Sequence, residues 1–291
     1  MTINMKQKTH TISPLPEILI EPLVRATLAE DLGRAGDITS DAIIPVTVQS
    51  ELYLVARKPG VLAGLDLARL AFQLIDKEVI FENLLEDGAR LQQGSRIARI
   101  TGSARALLTA ERTALNFLCH LSGIATVTAQ IADSIAEYSC HVTCTRKTTP
   151  MLRALEKYAV RVGGGRNHRF GLDDAVLIKD NHIAVAGSLT TAVERARAAV
   201  GHLVKIEVEV DTLEQLDEAL AIGVDVVLLD NMSLEQLAEA VRRIDGRAIS
   251  EASGGVTPET AVKIAQQGVN QIAIGWITHS APILDIGLDV I

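Results

Sequence analysis

Residues 18–31 repeat their apolar positions at helical spacing, and Gly33 ends the run. Residues 51–57 alternate like a half-buried strand and stop at the turn Lys58-Pro59-Gly60. Helical spacing returns over 65–75, and strand-like stretches follow at 78–84 and 95–100, separated by Asp87-Gly88 and Gln93-Gly94. A helix is expected over 104–121, closed by Ser122-Gly123. Residues 1–16 are polar, carry Pro14 and Pro16, and are expected to form a flexible arm.

Beyond residue 122 the rhythm changes. Six apolar runs, at 141–145, 175–178, 204–210, 224–229, 248–252 and 271–274, alternate with helical stretches at 149–162, 189–200, 213–221, 234–244 and 258–266. This alternation predicts a parallel sheet, and runs apolar on both faces fit a sheet covered by helices. Ser188, Asp211 or Thr212, Ser233 and Thr257-Pro258 are the expected helix starts. No G-x-G-x-x-G follows the first run, which weakens a dinucleotide-binding reading. The runs end instead in charged or small residues: Arg146 and Lys147, Lys179 to Asn181, Glu209, Asp230, Ser253 to Gly255, and Gly275. Strand ends that converge on one face define a (β/α) barrel, and six units imply an incomplete one.

Composition narrows the functional classes. With 291 residues, 48% apolar and 22% charged, the chain is globular rather than disordered. Only 3% of residues are aromatic, so the core is aliphatic and a base-stacking surface is not expected. A net charge of −8 offers no basic face for nucleic acid. Cys119, Cys140 and Cys144 are too few for a disulfide framework and read as core thiols. Residues 1–15 lack a secretory pattern, and no apolar run approaches the roughly 20 residues that span a bilayer. A cytoplasmic protein with no membrane partner is expected.

The charge is unevenly distributed. Residues 146–182 hold eight Lys and Arg against four acids, inside an acidic chain. Arg146, Lys147, His168, Arg169 and Lys179 fall at strand ends or in loops, which predicts a strongly anionic small ligand. Arg153, Lys157 and Arg161 recur along one helix and read as a solvated basic face. Glu209 and Asp230 end adjacent strands and are candidates for Mg²⁺ or sugar hydroxyls, against an internal salt bridge. Glu207 shares their face one step deeper. Ser253-Gly254-Gly255, ahead of a helix start, could receive a phosphate, with Gly275 completing the cradle. Gly163-Gly164-Gly165 most simply ends a helix. Arg112 shares an apolar helix face with Leu108 and Leu115, so it either pairs with a local acid or projects into an interface.

Several strings in order carry a resemblance: Glu111-Arg112-Thr113-Ala114-Leu115-Asn116, Thr145-Arg146-Lys147-Thr148-Thr149-Pro150, Gly163-Gly164-Gly165-Arg166-Asn167-His168-Arg169 and Leu177-Ile178-Lys179-Asp180-Asn181-His182. Glu207-Val208-Glu209-Val210, Leu229-Asp230-Asn231-Met232 and Glu251-Ala252-Ser253-Gly254-Gly255 continue it, with Glu30-Asp31-Leu32-Gly33 and Gly36-Asp37-Ile38-Thr39 upstream. From about residue 21 onward the chain closely resembles the quinolinate phosphoribosyltransferase family.

That resemblance implies an α/β fold: an N-terminal α/β sandwich domain over 17–121, joined by the tail 277–291, and an incomplete parallel (β/α) barrel over 122–276. It implies conversion of quinolinate and 5-phosphoribosyl pyrophosphate, with Mg²⁺, to nicotinate mononucleotide, pyrophosphate and CO₂. It implies a homodimer, or a hexamer, with shared active sites, and Arg112 reaching the partner's site. By the same resemblance Thr145, Arg146, His168, Arg169 and Lys179 join Arg112 at the quinolinate carboxylates. Lys147, Glu209 and Asp230 are the implied catalytic residues, the last two also serving ribose and metal, directly or through water. Lys147, Lys179, Glu209, Asp230, Ser253, Gly254, Gly255, Ala273, Ile274 and Gly275 are the implied phosphoribosyl pyrophosphate contacts. Trp276 departs from the small or aliphatic residue expected after Gly275. The competing readings are a molybdenum-locus relative of this fold, a nicotinate phosphoribosyltransferase, and a non-catalytic sugar-phosphate-binding barrel.

Overall fold

The computed structural model describes residues 12–290. Most of the expected flexible arm, residues 1–11, lies outside them; Ile12 and Leu15 rest half-buried against the core. The first part runs α1 (Glu17–Leu32), α2 (Ile38–Ile43), β1 (Gln49–Ala56), β2 (Gly60–Val61), α3 (Leu65–Ile75), β3 (Ile80–Asn83), β4 (Arg90–Leu91), β5 (Arg96–Ser103) and α4 (Ala104–Ser134). The second part runs β6 (His141–Thr143), α5 (Arg153–Val162), β7 (Val176–Ile178), α6 (Asp180–Ala186), α7 (Leu189–Ala199), β8 (Ile206–Val210) and α8 (Leu213–Ile222). It continues through β9 (Val226–Asp230), α9 (Leu234–Ile244), β10 (Ile249–Ser253), α10 (Pro258–Ala265), β11 (Gln271–Ala273) and α11 (Trp276–His279), and β12 (Ile286–Asp289) follows.

The first part is an antiparallel sheet in the order β12-β1-β5-β3, covered by helices. The chain's last strand returns to it: Tyr53 to Ala56 pair with Asp289 to Ile286, and Arg57 holds Asp289 through two hydrogen bonds at 2.7 and 2.5 Å. The α3 helix presents Leu67, Leu70, Ala71 and Phe72 to the core at helical spacing.

α4 runs thirteen residues past the expected stop at Leu121 and carries the chain from the first sheet into the barrel. Ser122 and Gly123 do not break it because both are used in packing. The buried Ser122 hydroxyl accepts from the Ala63 amide at 3.0 Å. Gly123 lets another backbone pass, since a Cβ there would lie 2.1 Å from the Pro282 carbonyl. By length and composition alone α4 could cross a bilayer, but most of its apolar stretch is buried inside the protein, so it is the core helix between the two parts.

The six remaining strands form one parallel sheet in the order β6-β11-β10-β9-β8-β7. Pairing of β11 with β6 curls the sheet round on itself, and β6 and β7 remain as its two edges. A full barrel would place further strands between them. Residues 163–175 cross that gap, and the Arg166 amide donates to the Val142 carbonyl at 2.7 Å. Ser188, Thr212, Ser233 and Thr257 each cap a helix by accepting an amide from three residues on. Thr212, not Asp211, is the cap of α8. α5 starts at Arg153, later than the expected 149, because Pro150 sits in the preceding turn. Val208, Val227, Leu229 and Ile272 are fully buried under these helices. Truncating such a leucine to alanine costs about 2–5 kcal/mol.

Candidate active site

The carboxyl ends of the barrel strands open onto two adjoining cavities. The first, about 420 Å³, is lined by Thr145, Arg146, Lys147, His168, Arg169, Lys179, Glu209, Asp230, Ser253 and Ala273. Leu177, Leu228 and Glu251 complete its wall. The second, about 610 Å³, shares Thr145, Lys147, Asp230, Ser253 and Ala273 and adds Gly254, Gly255, Ile274, Gly275, Trp276 and His279. Every barrel residue implied to contact quinolinate, phosphoribosyl pyrophosphate or metal therefore lines one cavity or both.

Arg146 and Arg169 form the cationic wall of the first cavity. The Nε atoms of both are buried without a hydrogen-bond partner. Burial, and next the neighbouring Arg146 charge, pull the Arg169 guanidinium below its usual value. Arg169 Nη1 donates to the Ala175 carbonyl at 3.1 Å, but two like charges held close with both Nε atoms unpartnered form a receptor for an anion. Their loops are fixed from behind. Arg153 donates to the Thr148 hydroxyl at 3.1 Å and to the Phe170 carbonyl at 3.0 Å. Lys157, expected on a solvated face, is instead fully buried. Its Nζ donates to the His168 and Arg169 carbonyls at 2.8 and 3.0 Å. The reason is tertiary: the 166–170 loop folds over α5, which its helical spacing alone does not disclose. Arg161 remains exposed, and Arg166 lines an opening at the opposite end of the barrel.

Beneath the cations lies a buried acid cluster. His168 Nε2 meets Glu207 at 2.8 Å and Glu251 at 3.6 Å. The Arg169 amide donates to His168 Nδ1 at 2.9 Å. Burial first, and the charge of Glu207 second, push the Glu251 carboxyl up to about 8, so it keeps its proton at neutral pH. The sequence reading did not assign Glu251 a role. A lone acid inside the otherwise apolar or small run 249–253 was the available signal.

Lys179 and Glu209 face each other across the cavity as an ion pair, so the salt bridge weighed for Glu209 is present. Asp230 accepts from the Asn231 side chain at 2.6 Å and has no cationic partner among the described residues. His182 accepts the Lys179 amide at 2.9 Å and caps α6 rather than lining a cavity. At the second cavity, Gly254 has φ +105°, and a Cβ there would lie 2.1 Å from Asn231 Oδ1. The Trp276 indole donates to the Val256 carbonyl at 2.9 Å, bracing the 253–257 loop rather than disrupting it. His279, which carried no signal in the sequence, joins the same wall.

Arg112 lies in neither cavity. It is exposed on α4 and makes no ion pair among the described residues, so the local-acid alternative does not hold. Leu108, one turn earlier on the same face, is 42% exposed. Cys119, Cys140 and Cys144 are buried free thiols.

An incomplete parallel barrel with a cationic carboxyl-terminal mouth and an adjoining glycine-lined loop defines a class of enzymes that handle anionic, phosphorylated small molecules. Residues 37–122 match the quinolinate phosphoribosyl transferase N-terminal domain, and residues 124–289 match its C-terminal domain. The chain belongs to this family. It is 48% identical over 274 residues to the nicotinate-nucleotide pyrophosphorylase [carboxylating] of Mycobacterium leprae, covering 92% of this chain and 95% of that protein. The crystal structure of NadC from Streptococcus pyogenes is similar at a TM-score of 0.92 and 44% identity, over 95% of this chain and 98% of that one. The nicotinate-nucleotide pyrophosphorylase structure from Francisella tularensis is similar at 0.92 and 39%, over 97% and 100%.

Proposed function

We infer that this chain transfers the phosphoribosyl group of 5-phosphoribosyl pyrophosphate to quinolinate and decarboxylates the product, giving nicotinate mononucleotide, pyrophosphate and CO₂ in NAD biosynthesis. The observation that carries the reading is the pair of buried, unpartnered Nε atoms on Arg146 and Arg169, which calls for a polyanion. Leu177 and Leu228 offer the ring an apolar surface beside them.

In this reading Arg146, Arg169, Lys179, Thr145 and His168 orient quinolinate by its two carboxylates. Ser253, Gly254, Gly255, Ala273, Ile274 and Gly275 line the 5-phosphate site, with the glycine amides as its donors, since the Ile274 amide already donates to the Thr143 carbonyl. Lys147 borders both cavities, where it faces the reacting groups and the phosphates together. The ring nitrogen attacks the anomeric carbon as pyrophosphate leaves, and the fixed cations stabilise the charge on the leaving group. Glu209 and Asp230 hold the ribose hydroxyls and steady the positive charge that develops on the sugar. Quaternising the nitrogen then makes the adjacent carboxylate easy to lose, because the ring can bear the carbanion.

Glu209 and Asp230 also fit Mg²⁺: both are hard oxygen donors on one wall of the first cavity, and Asp230 has no competing cation among the described residues. Bound there, the ion would neutralise charge on the pyrophosphate as it leaves.

The active assembly is a homodimer in which Arg112 reaches the partner's quinolinate site, or a hexamer made of three such dimers. The exposed, unpaired Arg112 beside the exposed Leu108 supports this. A cytoplasmic location is supported by the odd, buried cysteine set. Quinolinate and nicotinate offered side by side test the substrate. Use of quinolinate alone supports the reading, and equal use of nicotinate refutes a two-carboxylate clamp.

A further inference from the structure

The reaction leaves one requirement that the groups assigned above do not meet. When the carboxylate departs as CO₂, its ring carbon keeps the bonding electron pair and must gain a proton. Arg146 and Arg169 do not release one. His168 has both nitrogens engaged, Nδ1 accepting the Arg169 amide at 2.9 Å and Nε2 facing Glu207 at 2.8 Å, so its proton is committed. Lys179 is paired with Glu209. Lys147 borders both cavities with its side chain packed against Gly275, and in the reaction above its charge is committed to the phosphates.

We propose that Glu251 is the acid that protonates the decarboxylated ring carbon. The assignment rests on the reaction inferred above. Glu251 projects from β10 into the wall of the first cavity, where quinolinate is held, with its side chain 6% exposed. Its Oε1 is buried with no hydrogen-bond partner. The groups that act on it are Glu207 from β8, His168 from the gap-crossing loop and Lys157 from α5. Burial first, and the neighbouring Glu207 second, favour the neutral form of Glu251, and a neutral carboxyl does not repel a dicarboxylate ligand.

The step balances. The bond from ring carbon to carboxylate breaks, its electron pair stays on the ring carbon, and CO₂ leaves. The Glu251 O–H bond breaks and the C–H bond forms in concert with the loss of CO₂, so the donor sets the rate of CO₂ release, and Glu251 is left as a carboxylate. It regains a proton from water through a deeper cavity of about 200 Å³ that Glu251, Glu207 and His168 also line. That cavity shares Arg166, Lys205, Ile249 and Gln271 with the opening at the far end of the barrel, which connects Glu251 to solvent on that side.

Single-turnover measurements of pyrophosphate and CO₂ on Glu251→Gln test the proposal. Pyrophosphate is expected within about threefold of the wild-type rate. CO₂ is expected at least about tenfold slower, with the undecarboxylated nucleotide accumulating between them. Pyrophosphate and CO₂ that stay in step, whether both fast or both slow, overturn the proposal and leave Glu251 a structural residue. The wild-type enzyme gives an independent reading should the variant not fold. Its CO₂ step is expected to slow above about pH 8 and in D₂O, while pyrophosphate formation holds; a CO₂ step insensitive to both also overturns it. Wild-type protein that forms no pyrophosphate at all would instead sink the reaction itself.

Discussion

Lys157, wholly buried on α5, donates to the carbonyl of His168 at 2.8 Å and so ties the loop bearing His168 and Arg169 to the barrel wall. One ammonium holds two carbonyls and packs 5.0 Å from the Phe170 ring. The half of the proposed quinolinate clamp that closes the gap between β6 and β7 depends on it. Lys157→Met is expected to orphan both carbonyls, at about 1–3 kcal/mol each, and to raise KM for quinolinate through loosening of Arg169. Thermal melts read the first effect and initial rates the second. A variant with wild-type Tm and KM would contradict the tie.

Arg146→Ala removes a cation whose Nε has no protein partner. Its stability should therefore change little, while quinolinate binding should weaken by about 10- to 150-fold, the equivalent of roughly 1.5–3 kcal/mol for a charge-assisted contact. Calorimetric titration of quinolinate gives the number. Intact affinity would remove Arg146 from the clamp.

Gly254→Ala should act on the other substrate. The left-handed φ of +105° and the clash with Asn231 Oδ1 displace the loop proposed to receive the 5-phosphate. KM for phosphoribosyl pyrophosphate is expected to rise at least tenfold with quinolinate affinity unchanged. A rise in both by the same factor would show that the two cavities are not separate subsites.

Shared sites have a complementation signature. Arg112→Ala and Arg146→Ala proteins should each be nearly inactive. Mixed with subunit exchange, they should recover about a quarter of wild-type activity, because half the dimers are mixed and each of those holds one intact site. No recovery under verified exchange would confine the site to one chain.

Glu251 links pH to stability. Its carboxyl is held at about 8 against an ordinary 4.5, so the folded chain binds this proton more tightly than the unfolded chain. The stability it contributes is fully present below pH 4.5 and is lost as the pH rises towards 8. Glu251→Gln should flatten the fall in Tm over that window. An unchanged slope would mean that other groups carry it.

The barrel strands were readable because parallel strands covered on both sides must be apolar on both faces, and their polar ends stood out against that background. β2, β4 and β12 were not readable as strands, since each is short and paired with distant chain; β12 finds its partner some 230 residues earlier. α4 was cut short because Ser122-Gly123 looks like a stop when the Pro282 backbone lying against Gly123 is unknown. The same blindness to neighbours hid Lys157: its helical position is plain, but the loop that buries it comes from elsewhere in the chain. Arg112 was legible only as an anomaly, a cation sharing a face with leucines, and a single chain provides it no partner among the described residues.

The central claim is decarboxylating phosphoribosyl transfer, and the most direct test follows CO₂ from quinolinate labelled at the carboxylate next to the ring nitrogen. Release is expected only when phosphoribosyl pyrophosphate and Mg²⁺ are both present, one CO₂ for each pyrophosphate. Folded protein that binds quinolinate yet releases no CO₂ under those conditions would contradict the account.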